Sequence, residues 1–89
     1  MWTLNKDRVN WSRWSSLTNT ERQTWDDFKH EVAVNGSHPR EAAKTIRGAN
    51  YKCLAGDQYQ IRLSRSNRAT FRVDSANQTV IVLQVGGHT

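Results

Sequence analysis

Tyr59-Gln-Ile-Arg-Leu-Ser-Arg-Ser-Asn-Arg-Ala-Thr-Phe-Arg-Val-Asp74, followed by Thr79-Val-Ile-Val-Leu-Gln-Val-Gly-Gly-His88, decides how this chain folds. Ile61 and Leu63 alternate with Arg62 and Ser64, and Ala69, Phe71 and Val73 alternate with Arg68, Thr70 and Arg72. A period of two sends the apolar side chains to a core face and the cations to an open face. Ser66 and Asn67 supply turn chemistry between these two strands, and Ser75-Ala-Asn77 supplies it before the next. The run from Thr79 to Val85 is apolar at nearly every position. It reads as a central strand, flanked on both sides and covered on at least one face.

Working outward towards the N-terminus, Trp2-Thr-Leu4 is either a short edge strand or a frayed end. Lys6 to Ser16 reads as a first helix, with Val9, Trp11, Trp14 and Leu17 near helical spacing. Trp11 and Trp14 lie three apart on one face and are expected in the core rather than as base-stacking platforms. Thr18-Asn-Thr-Glu21 has the form of a capping box, so a second helix starts there. Trp25, Phe28 and Val32 form its apolar stripe, with Asp26, Asp27, Lys29 and Glu31 off the stripe in solvent. Asn35-Gly36 is stop chemistry. After the linker Ser37-His-Pro-Arg40, Pro39 opens a short helix that turns Ala42, Ala43 and Ile46 inward as far as Gly48. Tyr51 to Leu54 reads as a strand, with a tight turn at Ala55-Gly-Asp57. The expected class is α+β: an N-terminal helical hairpin packed on a small, mainly antiparallel twisted sheet. With 89 residues the chain has room for one core, so residues 1–89 form a single domain.

The formal charge of +5 points to a polyanionic partner, nucleic acid or an acidic protein, because the cations are not evenly spread. From Arg40 to Arg72, only Glu41 and Asp57 oppose Arg40, Lys44, Arg47, Lys52, Arg62, Arg65, Arg68 and Arg72. Cys53 is the only cysteine, which leaves no disulfide framework and no thiolate zinc site. Its strand-like setting favours a buried structural thiol over a nucleophile. There is no apolar run long enough for a membrane span and no signal-peptide pattern. A cytoplasmic protein without membrane contact is expected.

Arg62, Arg68 and Arg72 on the open face, with Arg65 in the adjoining turn, repel one another unless an anion joins them. Forked guanidinium donors match phosphate oxygens. Each arginine taken singly fits better as the partner of an acid on a helix or as a coat on the rim, whereas the group together points to anion binding. His88 follows a Gly-Gly hinge directly after the buried strand, so its ring is expected at the sheet's end. An imidazole there exchanges a proton near neutral pH. Taken alone, a penultimate residue is better read as an idle, frayed tail.

The Tyr-x-Ile-Arg-Leu strand at Tyr59, the hairpin into Arg-x-x-Phe-Arg-Val-Asp from Arg68, and the closing Val-Gly-Gly-His at Val85 together resemble the RelE/ParE toxin superfamily of bacterial toxin–antitoxin pairs. The likeness is good over the C-terminal strands and loose over the helical N-terminal part. It implies the α+β fold read above and an endoribonuclease that cuts messenger RNA on the ribosome by 2′-hydroxyl transesterification, with no metal or other cofactor. By position it implies catalytic roles for Arg68, Arg62 and His88, the last from the YoeB-like branch. Glu41 is the nearest match to that branch's general base. In the RelE branch lysines share this role, which brings in Lys44 or Lys52. Arg65, Arg72, Lys52, Lys44 and Arg47 would then contact RNA. The implied partners are a cognate antitoxin, the ribosome and mRNA. One departure is that only Thr89, and no tyrosine, follows His88. Tyr51 or Tyr59 would have to stack on the target base, although core or hairpin packing is their commoner use. Two other readings share the fold: a ParE-like toxin that poisons DNA gyrase without nuclease activity, and a non-catalytic domain that only holds its antitoxin.

Overall fold

In the computed structural model, which describes residues 1–87, the alternating C-terminal stretch forms the sheet's centre. The elements in chain order are β1 (Thr3–Asn5), α1 (Asn19–Ala33), α2 (Pro39–Lys44), β2 (Lys52–Ala55), β3 (Gln58–Arg62), β4 (Arg68–Asp74) and β5 (Thr79–Val85). The sheet order is β1-β5-β4-β3-β2. β1 runs parallel to β5, and every other pairing is antiparallel. β5 is therefore flanked on both sides, as its apolar run requires. Trp2-Thr-Leu4 resolves as an edge strand, with Thr3 opposite Thr79 and Leu4 opposite Val80.

The core lies between the sheet and the helices. Ile61, Ala69, Phe71, Val80 and Val82 are fully buried and meet Trp25, Phe28 and Val32 from α1 and Ala42 and Ala43 from α2. Phe28 and Phe71 pack with ring centroids 5.3 Å apart. α1 starts with the predicted capping box: the Glu21 amide donates to Thr18 Oγ1, and the Thr18 amide donates to the Glu21 side chain. It ends at Ala33, just before Gly36 turns left-handed at φ +71°. α2 opens on Pro39, as read, while Ile46 lies beyond its end and packs against the core half-buried.

The helix expected from Lys6 to Ser16 does not form. The Asn5 side chain accepts the Asp7 amide at 2.8 Å, and the Asn10 side chain accepts the Ser12 amide at 2.9 Å. These local bonds compete with helix formation. The Asn10 amide is instead donated to the Leu83 carbonyl at 2.8 Å, so the segment follows the edge of β5. Leu83 is the extra residue of a bulge in β5, where Thr70 faces Gln84 but Phe71 faces Val82. Only Trp14–Ser16 makes a 3-10 turn. Trp11 is therefore 41% exposed and packs edge-on against a half-buried Trp14 at 5.3 Å, not in the core as expected. The α+β class and the largely antiparallel sheet stand, but the paired helices are α1 and α2. Cys53 is also exposed rather than buried, because β2 is an outer strand whose residues all face solvent.

Phe71→Ala is expected to lower the unfolding free energy by about 3–5 kcal/mol, since it empties the centre of the sheet–helix interface. Urea denaturation followed by tryptophan fluorescence measures this. A loss under 1 kcal/mol, roughly the scale of a surface substitution, would contradict the packing described.

Candidate active site

The first turn of α1 sits against the turn between β3 and β4, which buries Glu21 to 6% exposure. Its Oε1 accepts the Thr18 amide at 2.7 Å. Its Oε2 accepts the Ser64 hydroxyl in a short hydrogen bond and the Asn67 side-chain amide at 2.7 Å. Burial alone pushes the Glu21 pKa up. Hydrogen bonds from Ser64, the Thr18 backbone and Asn67 outweigh it and hold the carboxyl at about 2. Asn67 then uses its Oδ1 to accept the Gly87 amide at 3.0 Å. The Gly87 carbonyl accepts the Arg68 amide at 2.9 Å, and the Gly86 amide donates to the Arg68 carbonyl at 2.8 Å. The chain leaving β5 is thus tied through both polar groups of Gly87's backbone.

Gly86 has φ +101°, and a Cβ there would lie 2.9 Å from Arg13 Cβ and 3.1 Å from the Arg13 carbonyl oxygen. Only glycine meets both the backbone conformation and the close approach. His88, the expected catalytic imidazole, lies outside the described residues.

Arg62 and Arg68 face each other across β3 and β4, and Arg65 is exposed on the turn between them. Of the three, Arg68 meets the chain at Gly86 and Gly87, at one end of the sheet. Their states differ. Arg62 is exposed, and its backbone amide donates to the Ala49 carbonyl at 2.6 Å. Arg68 is buried, contrary to its expected place on an open face. Its Nη1 donates to the carbonyls of Ser64 at 2.9 Å, Arg65 at 3.0 Å and Asn67 at 3.3 Å, so it holds the turn closed. The hairpin brings Arg68 close to carbonyls that its guanidinium can satisfy, and burial is stable only because of them.

The other predicted residues do not join this cluster. Arg72 lies opposite Gln58 and forms an ion pair with Asp57 at 3.0 Å. The hydrogen bond from Arg72 holds the Asp57 carboxyl below its usual range. Glu41 and Lys44 pair with each other on α2 at 3.3 Å, and with no residue of the β3–β4 turn. Lys52 is exposed on β2, and Arg47 is exposed in the loop two residues before Ala49. Tyr51 and Tyr59 stack on one another at 4.9 Å, on the core side of the sheet beside Phe71. Sequence reading saw Glu21 only as a cap and Ser64 and Asn67 only as hairpin residues. Their convergence carried no local signal.

No family model matches the chain, and no curated protein does. Solved structures do. A YoeB/ParE toxin from Agrobacterium tumefaciens superposes with a TM-score of 0.66 at 15% identity, over 98% of this chain and 99% of the other. That match carries the fold alone. A chain of the intact E. coli RelBE toxin–antitoxin complex superposes with a TM-score of 0.61 at 27% identity, over 100% of this chain and 99% of the other. Over its whole length the chain is thus similar to toxins of the RelE/ParE type. Within this RelE/ParE fold, the basic end of the sheet is where a buried carboxylate, a hairpin turn and the departing C-terminal segment are locked together.

Because folding lowers the Glu21 pKa from its ordinary value of 4.5 to about 2, its contribution to stability is complete above about pH 4.5. That contribution is lost as the pH falls through this window towards 2. Glu21→Gln is expected to be less stable than the parent at neutral pH and to show a flatter acid limb in urea unfolding between these values. Parallel pH profiles for the two proteins would rule out Glu21 as the buried anion.

Proposed function

We propose that this protein is the toxin of a toxin–antitoxin pair, a single domain over residues 1–89 that cleaves messenger RNA on the ribosome without a metal. The observation that carries the reading is the double tie on Gly87. Asn67 takes its amide, and the Arg68 amide donates to its carbonyl, beside the exposed Arg62 and Arg65. His88 follows Gly87 in the sequence and takes the proton-exchanging role in this proposal.

In the proposed reaction the ribose 2′-hydroxyl gives up its proton and its oxygen attacks the adjacent phosphorus. The bond from phosphorus to the 5′-oxygen breaks, and His88 supplies the proton that the leaving oxygen takes. The products are a 2′,3′-cyclic phosphate and a 5′-hydroxyl. Arg62 and Arg65 neutralise the charge that builds on the phosphoryl oxygens. Arg68 keeps the turn that carries Arg65 in place and adds its charge to the local field. Glu41 is the candidate acceptor for the 2′-hydroxyl proton, with Lys44 or Lys52 as the RelE-branch substitute. Lys52, Lys44, Arg47 and Arg72 line the surfaces over which the message would run. The antitoxin partner is inferred from the complex in which the RelBE neighbour was solved. The site of action in this proposal is the cytoplasm; among the described residues no helix is long and apolar enough to cross a membrane.

A specific observation favours a second reading, a ParE-like gyrase poison. Arg68 turns one of its nitrogens to its own turn, and Arg72 is taken by Asp57, which leaves fewer cations for a phosphodiester.

Induction of His88→Ala without antitoxin is expected to relieve growth arrest and abolish cleavage of ribosome-bound messages. Arg62→Ala is expected to reduce cleavage at least tenfold, the scale of one lost transition-state contact. Arg68→Ala is a poor test, because it also opens the turn. Full toxicity of His88→Ala removes the nuclease assignment. DNA damage with intact messages replaces it with gyrase poisoning.

A further inference from the structure

A second basic surface lies between α2 and the chain entering β2. Arg40, Ala43, Lys44, Asn50 and Tyr51 line an open cavity of about 320 Å³, the lower end of the size range of small-ligand clefts. Arg40 and Lys44 are four residues apart on α2 and so share one face. The Lys44 ammonium has Glu41 as a neighbour, and Arg40 has no carboxylate partner among the described residues. The Arg40 guanidinium lies 5.9 Å from the centre of the Tyr51 ring. Tyr51 in turn stacks on Tyr59 with the planes 15° apart. Tyr51 is thus in contact with Arg40 and Tyr59, and its ring also packs against Phe71 at 6.2 Å. Burial, with the neighbouring Tyr59, pushes the Tyr51 hydroxyl up to about 12, so it keeps its proton and remains a donor.

Two cations, a side-chain amide and a rigid π-stack with no carboxylate in the lining are the parts of a single-stranded nucleic-acid contact. A planar guanidinium offers a stacking face to an unpaired base. A protein partner would call for apolar anchors, and Ala43 is the only aliphatic residue in the lining. The cavity also adjoins the catalytic end of the sheet, because Ala49, whose carbonyl takes the Arg62 amide, directly precedes Asn50.

We propose that this groove is a subsite for one nucleotide of single-stranded RNA beside the cleaved bond, its phosphate held by Lys44 and Asn50 and its base laid on the outer face of Arg40. The subsite rests on RNA being the substrate, but not on His88 being the catalyst.

The test uses a short fluorescein-labelled 2′-O-methyl RNA oligonucleotide, which has no free 2′-hydroxyl and is not cut. Fluorescence anisotropy gives its affinity for the full chain over a range of salt concentrations. Arg40→Glu with Lys44→Glu is expected to weaken binding at least tenfold and to lower the salt slope by about 0.7 per cation removed. Lys6→Glu with Lys29→Glu makes the same charge change on a different surface and is expected to alter affinity less than threefold. Tyr51→Phe, which keeps the stack, is expected to bind as the parent does. Equal losses in the two double variants overturn the proposal, as does an unchanged salt slope in the groove variant. It also fails if the groove variant loses binding only to the antitoxin. Groove-dependent binding of the oligonucleotide by a protein that cleaves no message supports the groove as an RNA contact but sinks the nuclease reading, and with it the placement beside a cleaved bond. Message cleavage unaffected by the groove substitutions, with unaltered binding, does the reverse.

Discussion

The Glu21 carboxylate must stay ionised in a place nearly closed to water, and that requirement organises one whole end of the molecule. A buried charge is tolerated only if its lone pairs are occupied. Here they are filled by the start of its own helix and by Ser64 and Asn67 from the β3–β4 turn. Asn67 passes the constraint on to Gly87. Three segments distant in sequence are therefore one hydrogen-bonded unit. The bonds join the first turn of α1, the hairpin turn and the chain leaving β5. A network of this kind is worth more complete than in parts.

The rest of the scaffold delivers chain to that unit. The bulge at Leu83 turns a carbonyl towards Asn10, which keeps the N-terminal segment extended along β5. That path brings Arg13 against Gly86, where only a residue without a side chain fits. The failure of the first helix and the positive φ at Gly86 are thus two ends of one arrangement. Phe28 and Phe71 hold α1 on the sheet and so keep Glu21 beneath the hairpin.

The cations of the basic stretch, which look alike in sequence, fall into different physical states. Arg68 is used internally, Arg72 and Lys44 have carboxylate neighbours, and Arg62 and Arg65 are exposed. Arg40 lies over an aromatic ring. Net charge predicts attraction to a polyanion at long range. Which of these groups touches a phosphate is decided by what else each can reach.

Strands β2 to β5, the helix from Asn19 to Ala33, its capping box and the short helix at Pro39 were legible in the sequence, because each depends on residues a few positions apart, whereas β1 was left open between a strand and a frayed end. The period of two in Ile61, Ala69, Phe71 and Val73 and the stripe of Trp25, Phe28 and Val32 needed no tertiary information. The course of residues 6–13 was hidden, because the Asn10 amide chooses a carbonyl 73 positions away over its own helix. Glu21 as a hub was equally hidden, since Ser64 and Asn67 lie 43 and 46 residues downstream. The fate of Arg68 was invisible for another reason. Alternation tells which face a side chain leaves from, but only the folded turn supplies the three carbonyls that draw its guanidinium inward. Local periodicity is encoded residue by residue, whereas the partners of a buried charge exist only once the chain has closed around it.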